Sequence, residues 1–231
     1  MAALTDRYGK KIAENLSISK VFFNAIDTEK FIFDENTRRM VRHELGIESE
    51  KIVLGTVGRL TPAKNPFMII DIILKLKKSG LNFVFLWFGR GEMEDAIVKK
   101  INDNHLEKYI MLEGVRNDIN RMLQAMDIFI FPSVFEGLGI TCIEAQMADL
   151  ECFCSETIPE EAKITEKYIA LPIDNSEIWV KCIQEKILNG MTQRRDRSLE
   201  IKNAGYDIKS QSNWIEKFYL EILGRIKNDN I

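Results

Sequence analysis

The stretch DIFIFPSVFEGLGITCIE, residues 127–144, decides how the fold is interpreted. Four apolar residues at 128–131 predict a short buried strand, and Pro132 ends it. A loop containing Gly137 and Gly139 follows, and the apolar segment from Ile140 onward predicts a helix. A strand, a glycine-containing turn and a helix together form one β–α unit of a parallel sheet.

The same alternation continues from about residue 51 onward. The predicted strands lie near residues 52–57, 83–88, 110–112, 128–131, 152–154 and 169–171. The predicted helices lie at about residues 66–78, 93–102, 118–125, 140–148, 159–164 and 177–188. This order predicts an α/β fold with a Rossmann-like, doubly wound parallel sheet of about six strands.

The two ends of the chain differ from this core. Residues 1–23 are interpreted as a remnant of a preceding half, residues 24–190 as the Rossmann-like domain and residues 191–231 as C-terminal helices. A further helix is predicted near residues 37–46, and residues 192–231 are predicted to be helical. An apolar stripe in that last segment is expected to pack on its own domain, with docking onto a missing half as the alternative. Its members are Trp214, Phe218, Tyr219, Ile222 and Leu223.

Composition argues against several classes of protein. The chain has 231 residues, 45% of them hydrophobic, which is enough to bury a substantial core and argues against disordered and fibrous proteins. The formal net charge of -3 gives no overall attraction to nucleic acid or to an anionic membrane. The apolar runs are far shorter than the roughly 20 residues of a membrane span, and residues 1–7 lack a signal-peptide pattern. We therefore expect a cytoplasmic protein.

Cysteine and histidine spacing gives no metal site. The four cysteines, Cys142, Cys152, Cys154 and Cys182, have neither zinc-ligand spacing nor a neighbouring histidine. Buried or half-buried free thiols are therefore expected. His43 and His105 each stand among charged residues and are expected to lie on the surface.

Ligands of open parallel sheets lie outside the carboxyl ends of the strands, so the loops that follow the strands hold the candidate residues. After the first predicted strand, Gly58 permits a close turn, and Arg59 and Lys64 supply two cations suited to a diphosphate. Taken alone, such loop cations are more often simply solvated. After the second strand, Gly89 and Gly91 permit either a ligand or a tight bend.

Two later loops complete the set of candidates. Residues 114–117 follow the third strand, and their backbone groups are suited to reading a nucleobase. In the loop after the fourth strand, Gly137 and Gly139 leave N–H groups free at a helix N-terminus, which favours phosphate oxygens. Glu136 and Glu144 would repel such an anion unless they accept hydrogen bonds from hydroxyls, which sugars supply. The expected ligand therefore combines sugar and phosphate.

These motifs, in this order, closely resemble the retaining GT-B glycosyltransferases of family GT4. The resemblance rests on Gly58-Arg59-Leu60, Lys64-Asn65, Gly89-x-Gly91, the run from Asp127 to Ser133 and Glu136-x7-Glu144-Ala145. It extends from about Asn24 to Trp179, and Asn24-Ala25-Ile26-Asp27 is similar to the Asn-Gly-Ile-Asp that opens the family's second domain. Three positions depart from the family pattern. The family commonly has glycine at the position of Asp149, proline at that of Glu151 and glycine at that of Ala25.

The resemblance implies a role for each candidate residue. Arg59 and Lys64 would hold the diphosphate and stabilise charge on the leaving group. Glu136 would contact the donor sugar, and Glu144 would accept hydrogen bonds from the ribose. The other donor-binding residues would be Gly58, Gly89, Val115, Arg116, Gly137, Leu138, Gly139, Ile140 and Thr141. The resemblance implies neither a metal nor another cofactor, and a UDP-sugar is favoured over a GDP-sugar as substrate.

The implied reaction is transfer of a sugar, with retention of anomeric configuration, in surface polysaccharide biosynthesis. The acceptor would be a saccharide or a lipid-linked saccharide. The acceptor would be bound by an acceptor-binding half that is absent from this sequence. That half would be either an N-terminal domain or a separate chain. The implied location is the cytoplasm. The resemblance also allows a peripheral protein at the inner face of the plasma membrane, without a transmembrane segment. No nucleic-acid partner is implied.

Two alternatives remain open on the sequence. The chain could be a non-catalytic module that binds nucleotide sugars and needs a separate acceptor-binding chain. It could also be a nucleotide-sugar epimerase on the same GT-B scaffold, although the isolated histidines argue against that assignment.

Overall fold

The computed structural model describes residues 22–228. Its strands are β1 (Ile52–Val57), β2 (Phe83–Phe88), β3 (Ile110–Gly114), β4 (Ile128–Phe131), β5 (Glu151–Ser155) and β6 (Tyr168–Leu171). Its helices are α1 (Thr28–Phe31), α2 (Glu35–Glu44), α3 (Pro66–Lys78), α4 (Glu94–Asp103), α5 (Ile119–Ala125), α6 (Ile140–Met147), α7 (Ser176–Leu188), α8 (Ser198–Asn203) and α9 (Ile208–Asn228). Two short 3-10 turns lie at Pro62–Lys64 and Glu160–Ala162.

The six strands form one sheet in which every neighbouring pair is parallel. The strand order is β3-β2-β1-β4-β5-β6. The chain therefore builds outward from β1 to β3, then crosses back to place β4 on the other side of β1. Ligands of open α/β sheets bind where the strand order reverses, which here is the crevice at the carboxyl ends of β1 and β4. The predicted fold class is confirmed.

Both faces of the sheet are covered by helices. Strand β2 is buried at all of its positions, as expected for a parallel strand between two helical layers. One core contains side chains of α3, α4 and α7, and the other contains side chains of α2, α5, α6 and α8. The carboxyl edge of the sheet is left to the loops, which is where the candidate residues lie.

Helix α3 has clear local signals for its start, its buried face and its end. Pro66 occupies its first turn, where the missing N–H is no loss. Ile69, Ile73 and Leu76 are fully or almost fully buried, and each contributes about 1.5–3 kcal/mol by leaving water. Gly80, with φ of 76°, follows the end of the helix. The predicted bounds of this helix are confirmed.

Two predicted helical segments are wrong. Instead of a helix over residues 159–164, only the turn Glu160–Ala162 forms, because the side chain of Gln146 binds the backbone here. Its amide nitrogen donates to the Ala162 carbonyl at 2.7 Å, and its oxygen accepts from the N–H groups of residues 164 and 165 at 3.0 Å. Residues 192–197 are also not helical. The Arg194 side chain anchors that segment by donating to main-chain carbonyls, among them that of Met126 at 3.1 Å.

The departure at Asp149 has a structural explanation. Its φ is 55°, in the left-handed region that favours glycine. Its buried carboxylate accepts hydrogen bonds from the Arg197 guanidinium at 2.6 Å and the Lys167 ammonium at 2.9 Å. These ion pairs offset the backbone strain, and β5 begins two residues later at Glu151. The departure at Ala25 needs no compensation, since its φ is not positive.

The segment before α1 pairs with the segment before α9. Ile26 forms an isolated parallel bridge with Asp207, and the ring of Phe22 stacks on Trp214 with centroids 6.3 Å apart. None of the five stripe residues on α9 is buried, and Tyr219 and Leu223 are more than half exposed. Within the described residues the stripe therefore packs on the domain only in part, through Trp214 on Phe22, and much of its apolar face is exposed. Docking of this face onto another half stays a prediction. The sequence also predicts a helical stretch that ends near Asn15, and this stretch lies outside the described residues.

None of the helices in residues 22–228 combines the length and the apolar character that a membrane crossing would require.

Candidate donor-binding site

The candidate site lies where the loops after β1 and β4 meet. These strands are neighbours in the sheet, so residues 58–65 and 132–139 leave it side by side. The backbone N–H of Val134 donates to the carbonyl of Ala63 at 2.8 Å, which fixes one loop to the other. The structure therefore brings the predicted cations of the first loop next to the predicted acidic and glycine residues of the second.

Lys64 and Glu136 form an ion pair across this junction. The Glu136 side chain is only 10% exposed and that of Lys64 25% exposed. The Lys64 ammonium also lies 5.1 Å from the centre of the Phe131 ring, within cation–π range. Asn65, with φ of 52°, turns the chain sharply into α3 after the lysine. A cation and a carboxylate are thus held together at the base of the crevice.

Arg59 differs from Lys64 in having an uncommitted charge. The residue is exposed, and its side chain has no hydrogen bond or ion pair with another residue in the range 22–228. Arg59 and Lys64 lie on one loop, and Lys64 pairs with Glu136 in the loop that leads into α6. Their two positive charges and the positive end of the helix dipole act on the same region, which suits an anionic ligand.

The N-terminus of α6 has open backbone donors. Gly139 precedes the helix with φ of 82°, and it provides no side-chain cap. The N–H groups of Ile140 and Thr141 have no hydrogen-bond acceptor among residues 22–228. An added Cβ at Gly137 would meet no atom within 4 Å, so the loop leaves room for a ligand. This end of α6 can therefore receive phosphate oxygens.

Glu144, one turn into α6, is the acidic residue with the most altered environment in the site. Its side chain has no hydrogen-bond donor within the described part of the chain. Burial without such a donor raises the pKa of this carboxyl to about 7. A half-buried carboxylate with free lone pairs is an acceptor for neutral donors such as hydroxyls.

Gly89 and Gly91 serve the packing of the backbone. A Cβ at Gly89, whose φ is 137°, would lie 1.9 Å from the Gly58 carbonyl oxygen. A Cβ at Gly91 would lie 2.3 Å from that of Leu60. The loops after β1 and β2 therefore cross in contact, which accounts for both glycines without a ligand. The contact of Gly89 with a donor stays a prediction.

The loop after β3 presents mainly backbone. Val115 is 70% exposed. The Arg116 guanidinium binds both carboxylate oxygens of Asp118 at 2.8 Å, and this hydrogen bonding lowers the pKa of Asp118 to about 2. Since its side chain is held by the protein, Arg116 contributes to the loop's shape rather than a free charge.

Sequence reasoning missed the loop after β5. The hydroxyl of Thr157 donates to the carbonyl of Ser133 at 2.7 Å, and the Ile158 side chain lies 3.5 Å from the position that a Cβ at Gly139 would occupy. The loop after β5 thus contacts both ends of the loop of residues 132–139, which we call the glycine loop. The signal that could have found it is the strand order, which places β5 beside β4.

Two cavities lie at opposite edges of the sheet. One of about 410 Å³ adjoins the glycine loop, and Phe22, Leu138 and Pro159 are among the residues that line it. Another, of about 340 Å³, lies at the opposite edge, where strands β4 and β5 begin. Its charged groups, such as Asp127 and Arg38, are paired with each other, whereas the first cavity lies next to the loop that leads into α6.

The predicted environments of histidine and cysteine are confirmed. His43 and His105 are exposed, and both lie away from the carboxyl edge of the sheet. The four cysteines are free thiols, three of them buried and Cys182 half-buried. Within residues 22–228 no group of three or more histidine, cysteine, aspartate or glutamate side chains is arranged to hold a metal ion.

Comparison with known proteins gives one family. Residues 37–198 match the family model described as Glycosyl transferases group 1. A UDP-Gal:alpha-D-GlcNAc-diphosphoundecaprenol alpha-1,3-galactosyltransferase of Escherichia coli is 29% identical over 210 residues, covering 87% of this chain and 53% of that protein. EpsF of Bacillus subtilis, named as a putative glycosyltransferase, is 25% identical over 80% of this chain and 48% of its own length. The chain thus spans about half the length of the curated relatives it matches.

Solved structures share the fold. Anabaena HepE in complex with UDP-glucose has a TM-score of 0.76 and 19% identity, covering 95% of this chain and 61% of that one. The C-terminal domain of LpcC from Francisella tularensis, a glycosyl transferase group 1 family protein, has a TM-score of 0.60 and 19% identity. The match covers 82% of this chain and 97% of the LpcC domain.

Proposed function

The chain belongs to the group 1 glycosyltransferases, and on that premise we propose that it is the donor-binding half of a retaining enzyme. Its donor is a nucleoside-diphosphate sugar. The observation that carries this proposal is the meeting of three kinds of group at the crevice between β1 and β4. They are two loop cations, the open N–H groups of α6 and a carboxylate that has no donor within the described residues.

The diphosphate is bound by Arg59, Lys64 and the first turn of α6. Cations and oriented N–H groups recognise phosphate oxygens by complementary charge and geometry. The pairing of Lys64 with Glu136 supports this assignment, because it holds the ammonium beside α6 before the ligand arrives. When the donor binds, Lys64 turns toward the phosphate, and Glu136 accepts a hydrogen bond from a hydroxyl of the sugar.

The nucleoside is bound by groups on either side of the phosphate. Glu144 accepts hydrogen bonds from the ribose hydroxyls, which supply the donors that its buried carboxylate lacks. The base lies against residues 114–117, where exposed Val115 offers an apolar contact and the backbone offers hydrogen bonds. Of the possible bases we favour uracil over guanine. The E. coli relative is named for UDP-Gal, and HepE shares the fold in its complex with UDP-glucose.

The reaction breaks the bond between the sugar's anomeric carbon and the β-phosphate oxygen. It forms a bond from that carbon to an acceptor oxygen on the same face, and the leaving phosphate takes the acceptor's proton. Arg59 and Lys64 stabilise the charge that grows on the departing diphosphate. Because two cations can do this, we propose a reaction that uses no metal ion or other cofactor. Glu136 positions the sugar and need not form a covalent bond.

The acceptor is a saccharide or a lipid-linked saccharide, and the pathway is surface polysaccharide biosynthesis. The E. coli relative is named for a diphosphoundecaprenol-linked sugar. The acceptor-binding half is an N-terminal domain or a separate chain, since this chain spans about half of its relatives. The open apolar face of α9 is available to contact that half. We place the protein in the cytoplasm or on the inner face of the plasma membrane.

Isothermal titration of the chain with UDP, UDP-glucose, UDP-galactose and GDP-mannose tests the proposal. We expect UDP and the UDP-sugars to bind, and Arg59→Ala to weaken binding about 10- to 100-fold through loss of a charged phosphate contact. The matched control is Arg39→Ala, an exposed arginine on α2 away from the crevice. Failure of all four ligands to bind would refute the donor site. Equal losses in both variants would refute the role of Arg59.

One alternative keeps the site but not the reaction. That alternative is a module that binds nucleotide sugars and acquires activity only with an acceptor-binding partner. Hydrolysis of UDP-sugar by the chain alone distinguishes the two. Slow release of free sugar shows that this half activates the donor, whereas binding without release identifies the module.

A further inference from the structure

Three thiols lie directly behind the glycine loop. Cys142 is on α6 and Cys152 and Cys154 are on β5, and all three are completely buried. The sulfur atoms of Cys142 and Cys154 are 3.2 Å apart. A Cβ at Gly139 would lie 3.9 Å from the Cβ of Cys142. The thiol cluster and the predicted phosphate loop therefore share one small region.

The position of Cys142 in α6 favours its thiolate over the thiols around it. It is the third residue of α6, where the helix dipole favours a negative charge. The Gln146 amide donates to its sulfur at 3.6 Å. Burial raises the pKa of the Cys142 thiol, but hydrogen bonds from the neighbouring thiols and from Gln146 lower it overall. Burial raises the pKa of Cys154 well above its ordinary value, so Cys142 is the more acidic of the two facing thiols.

We propose that Cys142 and Cys154 form a disulfide when the protein meets a small oxidant such as oxidised glutathione. The sulfur atoms need to approach by about 1.1 Å to reach the bond length of about 2.05 Å. The Cys142 thiolate attacks one sulfur of oxidised glutathione and releases one glutathione thiolate. That thiolate takes the proton of Cys154, whose sulfur then attacks Cys142 and releases the second glutathione thiolate. Two protein thiols are oxidised and one glutathione disulfide is reduced.

Reaction of these buried thiols requires the glycine loop to open. Gly137 is exposed and has no atom within 4 Å of an added Cβ, so no packed neighbour obstructs the loop at that residue. Because Cys142 lies two residues before Glu144, closing the disulfide displaces the turn that carries the open N–H groups. If the proposed function is right, UDP and the disulfide therefore oppose each other. Each lowers the formation of the other by the same factor.

Peptide mapping of the folded chain without reduction tests the disulfide itself. After treatment with oxidised glutathione, we expect one cross-linked species that joins Cys142 to Cys154. Half-buried Cys182 takes up glutathione and shows that the oxidant is active. The matched control Cys152→Ala removes a thiol of the same cluster and should keep the cross-link. A modified Cys182 with no cross-link at Cys142, or a cross-link to Cys152 instead, would overturn the proposal.

A second arm measures the link to the nucleotide. We expect saturating UDP to slow cross-linking at least about fivefold, and the cross-linked chain to bind UDP at least about fivefold more weakly. Cross-linking at the same rate when UDP is bound would overturn the coupling. A cross-link in a chain that never binds UDP would instead overturn the proposed function and leave the disulfide standing.

Discussion

Replacing Glu144 by glutamine should stabilise the protein in a pH-dependent way. Burial raises the pKa of this carboxyl from 4.5 to about 7. At about 1.4 kcal/mol for each pH unit, that difference corresponds to about 3 kcal/mol of free energy of unfolding. The folded state binds the proton more tightly than the unfolded state. The stabilisation of the folded state by the proton on Glu144 is therefore complete below the pKa that this carboxyl has in the unfolded chain. It is lost as the pH rises through about 7.

Glutamine cannot ionise, so the variant escapes this loss. The expected gain over the native chain is at most about 3 kcal/mol at about pH 8 and under about 1 kcal/mol at about pH 5. Denaturant unfolding at the two pH values measures the difference. Glu107→Gln is the matched control, because Glu107 is exposed and lies before β3 at the opposite edge of the sheet. A Glu144→Gln variant no more stable than the native chain at about pH 8 would refute the assignment of a desolvated carboxyl.

The same substitution tests the ribose contact. Hydroxyls donate more strongly to an ionised carboxylate, and a charged hydrogen bond contributes about 1.5–3 kcal/mol. Glu144→Gln should therefore bind UDP about 10- to 100-fold more weakly although it is more stable. Native affinity should fall as the pH is lowered through about 7, and binding should release a proton. Titration calorimetry in two buffers of different ionisation enthalpy detects that proton, and a heat independent of buffer would contradict the role of Glu144.

Three further substitutions test other parts of the structure. Glu136→Ala should leave UDP affinity within about twofold while reducing discrimination between UDP-sugars, because Glu136 is assigned to the sugar. Titration with UDP and two UDP-sugars checks this, and a large loss for UDP itself would contradict it. Asp149→Ala should destabilise the protein by about 3 kcal/mol in denaturant unfolding, because buried Lys167 and Arg197 each lose a carboxylate partner, although Arg197 keeps its pair with Glu166. Gly89→Ala should yield a poorly folded chain by circular dichroism, since its Cβ would lie 1.9 Å from the Gly58 carbonyl oxygen. A native thermal transition would contradict that clash.

The strands and helices of the core were predictable because each is encoded locally. The apolar run at Phe83–Phe88 and the proline start and glycine end of α3 need no knowledge of the rest of the chain. The failures at residues 159–164 and 192–197 both reflect contacts with distant elements. The Gln146 side chain binds backbone groups of residues 162, 164 and 165. In the second segment the Asp149 carboxylate accepts from the Arg195 backbone N–H at 2.7 Å, and the Arg194 side chain donates to the carbonyl of Met126. Such bonds have no signature in local spacing.

The candidate site divides in the same way. The sequence located the loops, because residues that follow parallel strands lie at one edge whatever the details. It could not identify which charges are committed to one another. Lys64 is paired with Glu136, 72 residues away, and Arg116 with Asp118, two residues away, whereas Arg59 has no partner in residues 22–228. These pairings depend on loop conformation, which a motif does not specify.

The geometry also bears on whether the proposed donor site depends on a second domain. The cations, the open N–H groups of α6 and Glu144 are all held by β1, β4 and the helix between β4 and β5. Their positions depend on one sheet and on the helices that cover it, so the described residues hold them without a second domain. The proposed transfer needs an acceptor oxygen beside the sugar as well. Binding of the donor and transfer of its sugar should therefore be separable in this chain, with the first retained when the second is lost.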